Sequence, residues 1–245
     1  MRKKVVLGVS GGMDSSVLLH KAINHYDDII AVFFNYNQRH IIEKNCANKQ
    51  LEHVKLKIAH TQTIEYKTID VSFIREIAPT SSLTNDNITT PNVKKVMGEA
   101  QPLSYVPNRN LMFISILASL AEANNACTIW HGSAQADSLA GYWDSSNEFR
   151  DYLNKLLCLN RHIQISVETP LINMSKKDII LNGIKLGVNF GNTYTCYSGN
   201  VVADAESVSS SLRIKGFIDA GYIDPIQYKQ DLTNIWVKYN CKPVN

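Results

Sequence analysis

Three runs of this chain are apolar at consecutive rather than alternate positions: KKVVLGV at 3–9, IIAVFFNY at 29–36 and ACTIWHGS at 126–133. A strand that offers water neither face has to be covered on both, and a parallel sheet flanked by helices does that. The segments beside these runs carry helical patterns: SSVLLHKAINHY at 15–26, IIEKNCANKQLEHVKLKI at 41–58 and NLMFISILASLAEANN at 110–125. Such alternation predicts an α/β chain, a doubly wound parallel sheet with helices on both faces. With 245 residues, 44% of them hydrophobic, there is ample material for the core, and a disordered or fibrous chain is excluded.

The basic N-terminal residues precede an apolar stretch too short for a secretory signal, and no segment reaches the ~20 apolar residues of a membrane span. A cytoplasmic location is the expectation. The formal charge is +3 and the lysines and arginines are scattered, so no dedicated nucleic-acid arm is expected. Five cysteines, Cys46, Cys127, Cys158, Cys196 and Cys241, are an odd and widely spaced set that reads as reduced thiols.

Two stretches break the strand–helix rhythm. Residues 79–107 are polar, punctuated by proline and long for an idle connection, which predicts a lid or substrate loop. From about 194 to 217 the pattern becomes an irregular module feeding a helix, and DPIQYKQDLTNIWVKY at 224–239 reads as helical. The expected division is an α/β domain at 1–190 and a small irregular and helical C-terminal module at 191–245.

The sharpest chemistry lies in KKVVLGVSGGMDSSVLLHKAI. After the strand ending at Val9, Ser10–Ser16 turn the chain into a helix beginning near Asp14. Gly11 and Gly12 permit unusual φ and close approach, the free N–H groups of the helix start form an anion site, and Ser10, Ser15 and Ser16 add hydroxyl donors. Phosphate is the natural guest. The lysine of the kinase-type G-x-x-x-x-G-K-[ST] loop is missing. The stretch instead resembles the SGGxDS pyrophosphate loop of the ATP pyrophosphatases, enzymes of adenine nucleotide alpha hydrolase-like fold that cleave ATP between its α- and β-phosphates. The resemblance implies that Ser10, Gly11, Gly12, Ser15 and Ser16 hold pyrophosphate and that Asp14 positions Mg²⁺.

Further motifs follow in order: FNYNQRH at 34–40, SSLTND at 81–86, YVPNRN at 105–110, ETPL at 168–171, TCYSG at 195–199 and SLRIKGF at 211–217. Together they resemble the 7-cyano-7-deazaguanine synthase family of the queuosine pathway. That implies a substrate, 7-carboxy-7-deazaguanine, whose carboxylate attacks the α-phosphate of ATP, after which ammonia displaces AMP and a second ATP dehydrates the amide to a nitrile. A carboxylate approaching polyphosphate needs cations, and Arg39, Arg109 and Lys176 stand at motif positions able to supply them. Phe33 or Phe34 would lend adenine an apolar face. His40, Arg109, Asn110, Asp137, Tyr142 and Asp144 are the substrate-binding candidates. The arginines could equally anchor loops, His40 could be structural, and Asp144 could cap the helix carrying NEFRDYLNKLL. A homodimer is expected from the resemblance alone.

The chain also departs from that family. Relatives hold a structural zinc with the cysteine of TCYxG and three more before LRxxGF. Here Cys196 remains while DAESVSSSLR places Asp204, Ser207 and Ser210 at the other positions. Serine hydroxyls are poor zinc ligands, so no zinc is expected. Asn37 and Asn108 replace customary glycines, a change asparagine tolerates because it accepts left-handed backbone. The adenylating half is intact and the acceptor side altered. The resemblance therefore implies an ATP- and Mg²⁺-dependent ligase that acylates nitrogen, either ammonia or, as in divergent relatives associated with antiviral gene sets, an amine of a partner protein. The alternative is an inactive module that binds nucleotide or deazaguanine and regulates a partner.

Overall fold

The computed structural model describes residues 2–36, 41–85, 87–88, 103–135, 141–195 and 202–244. Five strands, β1 (Lys4–Gly8), β2 (Asp28–Asn35), β3 (Thr63–Asp70), β4 (Thr128–Trp130) and β5 (Ser166–Glu168), form one parallel sheet in the order β3-β2-β1-β4-β5. Val6 is in register with Ile30 on one side and Ile129 on the other. The chain leaves β1 for β2 on one side and later returns to β4 on the opposite side. The carboxyl ends of β1 and β4 therefore flank a topological switch point, where open α/β sheets form a crevice.

Alternation along the strands feeds two cores. Val5, Leu7, Ile29, Ala31 and Phe33 face α1 (Met13–Ala22) and α2 (Ile41–Lys55), while Val6, Ile30, Val32 and Phe34 face the opposite side. Between β3 and the next long helix lies one short turn, α3 (Ile74–Ile77). The second core is closed by α4 (Arg109–Ala123), through Ile114, Leu117 and Ala121, and by α5 (Asn147–Leu157), through Phe149 and Leu153. The first is completed by α6 (Lys176–Lys185), α7 (Val208–Ala220) and α8 (Thr233–Lys238), so Ile214, Phe217 and Trp236 share a core with β1 and α1.

Two strands escape the hydrophobic-run signature that marks the central three. β3 is an edge strand, TIEYKTID, with its side chains half or fully exposed, and β5 has only three residues. On β5, Asn154 of α5 occupies the backbone of Val167, donating to its carbonyl at 3.0 Å and accepting from its N–H at 2.7 Å. That contact blocks strand addition at this edge.

Expected helix at 224–239 is realised only at Thr233–Lys238. Upstream, Pro225 interrupts the pattern and the side chains of Asp224 and Tyr228 are drawn to a buried arginine, Arg213, while Ala203 and Tyr228 form an isolated bridge. Tertiary hydrogen bonds outweigh local helix preference here. Among the described residues no helix is long and apolar enough to cross a membrane, and Cys46, Cys127, Cys158 and Cys241 are free thiols.

Candidate active site

β1 ends at Gly8, and the next residues turn sharply into α1. Gly11 has φ +81°, and a Cβ there would overlap the Glu43 carbonyl oxygen and the Ala47 nitrogen of α2. The loop is thus pressed against the next helix, and only glycine fits the position. The serines lock the turn. Ser15 Oγ lies 3.1 Å from Ser10 Oγ and accepts from Ser10 N–H at 3.2 Å, and Gly12 N–H donates to Ser10 Oγ at 3.3 Å. Tyr194 N–H, from the far C-terminal side, donates to Gly11 O at 3.0 Å and clamps the loop from above.

A cavity of about 280 Å³ opens at the switch point. From the loop it is lined by Ser10, Gly12, Asp14 and Ser15. Gly11 and Ser16 do not line it. Ser16 is fully buried and its hydroxyl donates to Gly12 O at 2.7 Å, so it fixes the loop rather than offering a cavity donor. The two phenylalanines also separate: Phe34 lines the cavity and stacks on Phe113 of α4 at 4.0 Å and 8°, whereas strand alternation sends Phe33 into the α1–α2 core. Phe33 is therefore withdrawn as an adenine contact.

Lys176 begins α6, fixed by a capping box in which Asp178 N–H donates to Ser175 Oγ at 3.2 Å and Ser175 N–H to Asp178 Oδ2 at 3.0 Å. Its Nζ reaches Asp14 Oδ2 at 2.7 Å, joining residues 162 apart in sequence. The second oxygen of Asp14, Oδ1, is buried without a hydrogen-bond partner among the described residues. Mg²⁺ is commonly held by one or two carboxylates with the rest of its shell from water and phosphate. Asp14, in the first turn of α1 and with one oxygen unpartnered among the described residues, fits that requirement.

Across the cavity stand the residues of the second half-site. Asn108 takes the left-handed conformation, φ 55°, as expected where a glycine is customary, and starts α4. Arg109 follows, and its charge opposes the burial that pushes the Tyr36 hydroxyl pKa up. Asn110 donates through its side chain to Asp144 O at 3.2 Å and Ser145 Oγ at 3.3 Å, and Tyr142 OH lies 2.6 Å from Ser104 Oγ. Asp144 is 2% exposed and sits behind the cavity wall. Burial pushes its carboxyl above the usual range, with Arg109 and the Asn110 N–H opposing, and its Oδ1 is buried without a partner among the described residues. Capping does not explain it, because Ser146 is the cap of α5, accepting from Phe149 N–H at 3.1 Å. Arg39, His40 and Asp137 lie outside the described residues, as do Asn37, Cys196, residue 86 and residues 89–102 of the expected lid.

The sequence did not single out Tyr36, Glu43, Ser104, Phe113, His131 or Ser133, all of which line the same cavity. Glu43 and Tyr36 flank the RH of FNYNQRH, a proximity that could have flagged them. His131 and Ser133 directly follow β4, the other strand of the switch point, and carried a signal only once the strand order was known.

At the C-terminal module, the positions that would hold zinc form a hydrogen-bonded helix cap. Asp204 Oδ1 accepts from Glu206 N–H at 3.1 Å and Ser207 N–H at 2.8 Å, and Ser207 caps α7, its Oγ 2.9 Å from Ser210 Oγ. Two hydroxyls and one carboxylate already engaged with backbone do not make a tetrahedral zinc site.

The model of the family described as "Queuosine biosynthesis protein QueC" matches residues 4–221. The chain is 36% identical over 233 residues to a 7-cyano-7-deazaguanine synthase of Thermoplasma acidophilum, covering 94% of this chain and 93% of that protein. It is 34% identical over 236 residues to the enzyme of the same name from Caldicellulosiruptor bescii, covering 95% and 99%. Among solved structures, NMN synthetase from Francisella tularensis superposes with a TM-score of 0.52 at 16% identity, covering 98% of this chain and 84% of that one. A 4-thiouridine synthetase in complex with RNA and ATP gives 0.50 at 17%, covering 97% and 53%. The structural likenesses establish the fold.

Proposed function

Because the chain belongs to the queuosine biosynthesis protein QueC family, we propose that it uses ATP to adenylate the carboxylate of 7-carboxy-7-deazaguanine and passes the acyl group to nitrogen. The observation that carries this reading is the pairing of two half-sites in one cavity, the serine–glycine loop with Asp14 on one wall and Arg109, Asn110 and Tyr142 on the other.

The helix start at Gly12 and the hydroxyls of Ser10 and Ser15 receive the β- and γ-phosphates, exchanging their mutual hydrogen bonds for phosphate oxygens. Phe34, backed by Phe113, gives adenine a flat apolar wall. Lys176 neutralises charge at the α-phosphate as it becomes crowded, and Arg109 brings in the substrate carboxylate, so that two anions meet between two cations. Asp14 is the residue that would hold Mg²⁺, which would supply positive charge to offset the negative charge of the phosphates. Tyr142 and Asn110 lie where the heterocycle would be gripped.

Ammonia as acceptor gives the amide and, with a second ATP, the nitrile carried by the names of the relatives. An amine of a partner protein gives a covalent adduct instead. A homodimer and the involvement of Arg39, His40 and Asp137 belong to this proposal. Incubating the protein with ATP, Mg²⁺ and 7-carboxy-7-deazaguanine, with and without ammonium, and following AMP and every deazaguanine species by mass spectrometry tests it. AMP dependent on the deazaguanine is expected. Its absence under every condition would leave the regulatory, non-catalytic reading.

A further inference from the structure

His131 is the one imidazole among the described residues of the cavity wall, and no step above uses it. It follows Trp130 at the carboxyl end of β4, and β4 is hydrogen-bonded to β1, whose end carries the phosphate loop. The ring thus lines the cavity from the strand next to the one that carries the loop. Its Nδ1 lies 2.7 Å from the hydroxyl of Ser133, a residue 4% exposed that serves as its brace. Nε2 has no hydrogen-bond partner among the described residues, and it is not sealed away from the cavity. Two other ionisable groups of this wall are already engaged, Asp14 with Lys176 and Tyr142 with Ser104.

We propose that His131 is a positioning residue for the nitrogen nucleophile, with Nδ1–H given to Ser133 and Nε2 accepting an N–H of the incoming ammonia or amine. The proposal rests on the acyl-adenylate reading and assigns it a residue for its second half. In that step the amine lone pair attacks the acyl carbon, the C–N bond forms, the C–O bond to the phosphate breaks, and AMP leaves with the bonding pair. The surplus proton of the amine passes to water. His131 remains neutral throughout and steers the lone pair through its hydrogen bond.

The surroundings suit a neutral acceptor. Burial, with the Arg109 charge adding to it, lowers the His131 pKa to about 4, so the ring does not add a cation to a cavity that Arg109 lines and whose Asp14 is already paired with Lys176. A protonated imidazole there would offer no acceptor and would repel ammonium. The same cations that draw in carboxylate and phosphate make an uncharged acceptor the suitable handle for a nitrogen nucleophile.

The test separates the two halves of the reaction. Deazaguanine-dependent exchange of labelled pyrophosphate into ATP reports the adenylate, and the amount of amide formed per AMP, titrated with ammonium chloride, reports its capture. For His131→Gln and for Ser133→Ala, the amide formed per AMP falls about tenfold at fixed ammonium, with free acid made instead, and the half-saturating ammonium rises by a similar factor. Normalising to AMP removes the contribution of any misfolded fraction. If the amide per AMP and the ammonium dependence of His131→Gln match the wild type, the proposal is overturned while the adenylating function stands. If instead the variant raises the KM for the deazaguanine carboxylate and leaves the partition unchanged, His131 reads the heterocycle and the proposal is likewise overturned. No exchange by the wild-type protein would overturn the functional reading and this proposal with it.

Discussion

The charge pair of Arg213 and Asp224 is fully buried, and its two partners come from α7 and the irregular segment after it. Arg213 Nε and Nη2 donate to the two oxygens of Asp224 at 2.6 and 2.9 Å, Nη1 to Thr193 Oγ1 at 2.7 Å and Thr195 Oγ1 at 3.0 Å, and Nη2 also to Phe190 O at 3.1 Å. Tyr228 OH adds a bond to Asp224 at 2.7 Å. Asp224→Asn is nearly isosteric, so it opens no cavity, and it leaves the guanidinium charged and uncompensated in the interior. Removing one member of such a pair costs about 3–5 kcal/mol. At about 2–4 °C per kcal/mol for a chain of this size, the melting temperature should drop by roughly 6–20 °C. Thr193 and Thr195 flank Tyr194, whose N–H holds Gly11 O, so the KM for ATP should rise as well. Differential scanning fluorimetry and urea titration measure the first effect, and AMP formation against ATP concentration the second. Replacing both partners, Arg213→Met with Asp224→Leu, should recover most of the stability. A loss under about 1 kcal/mol for Asp224→Asn would refute the argument, since it would mean the arginine regains solvent at little cost.

Gly11→Ala forces a Cβ into the backbone of α2 at a positive φ. We expect a stability loss of about 1–3 kcal/mol, with the KM for ATP raised in the AMP assay. Lys176→Met should cut deazaguanine-dependent pyrophosphate exchange by about 10²–10³-fold while the melting temperature moves little. His20 is buried against Gln50, and burial foremost, then the Lys57 charge, lowers its pKa to about 4. The folded value lies below the unfolded ~6.5, so stability is full above about pH 6.5 and is lost as pH falls towards 4, by an amount on the order of 3 kcal/mol. His131, depressed in the same direction, adds to that slope, and His20→Leu should remove only its own share in urea midpoints measured from pH 7 to 4. Chelators should leave the melting temperature unchanged and elemental analysis should find no stoichiometric zinc, whereas Ser207→Ala, which removes the cap of α7, should cost about 1 kcal/mol.

Much of the fold could be read along the chain because its signals are local. Consecutive apolar residues mark β1, β2 and β4, which are buried on both faces, and SGGMDSS announces both the turn and the helix it opens. β3 and β5 were hidden for the converse reason. An edge strand and a three-residue strand bury too little on their own to leave a pattern, and register with a neighbour defines them. The irregular segment at 224–232 follows the same logic, its conformation set by a buried arginine eleven residues away from Asp224 rather than by local helix preference.

The site divides along the same line. The glycine–serine loop was legible as an anion-binding turn because it follows from what those residue types do by themselves, whereas Arg109 and Lys176 as candidate cations and Asp204, Ser207 and Ser210 as the positions of a zinc site were marked by the resemblance of the motifs. Tertiary structure decided between Phe33 and Phe34, since strand parity is fixed only by which face meets which helix. It also joined Lys176 to Asp14 and brought His131 to the cavity that the loop lines. Those outcomes depend on strand order and on the crossing from β1 to β4, and a contact between residues more than a hundred positions apart leaves no trace in the local pattern of either.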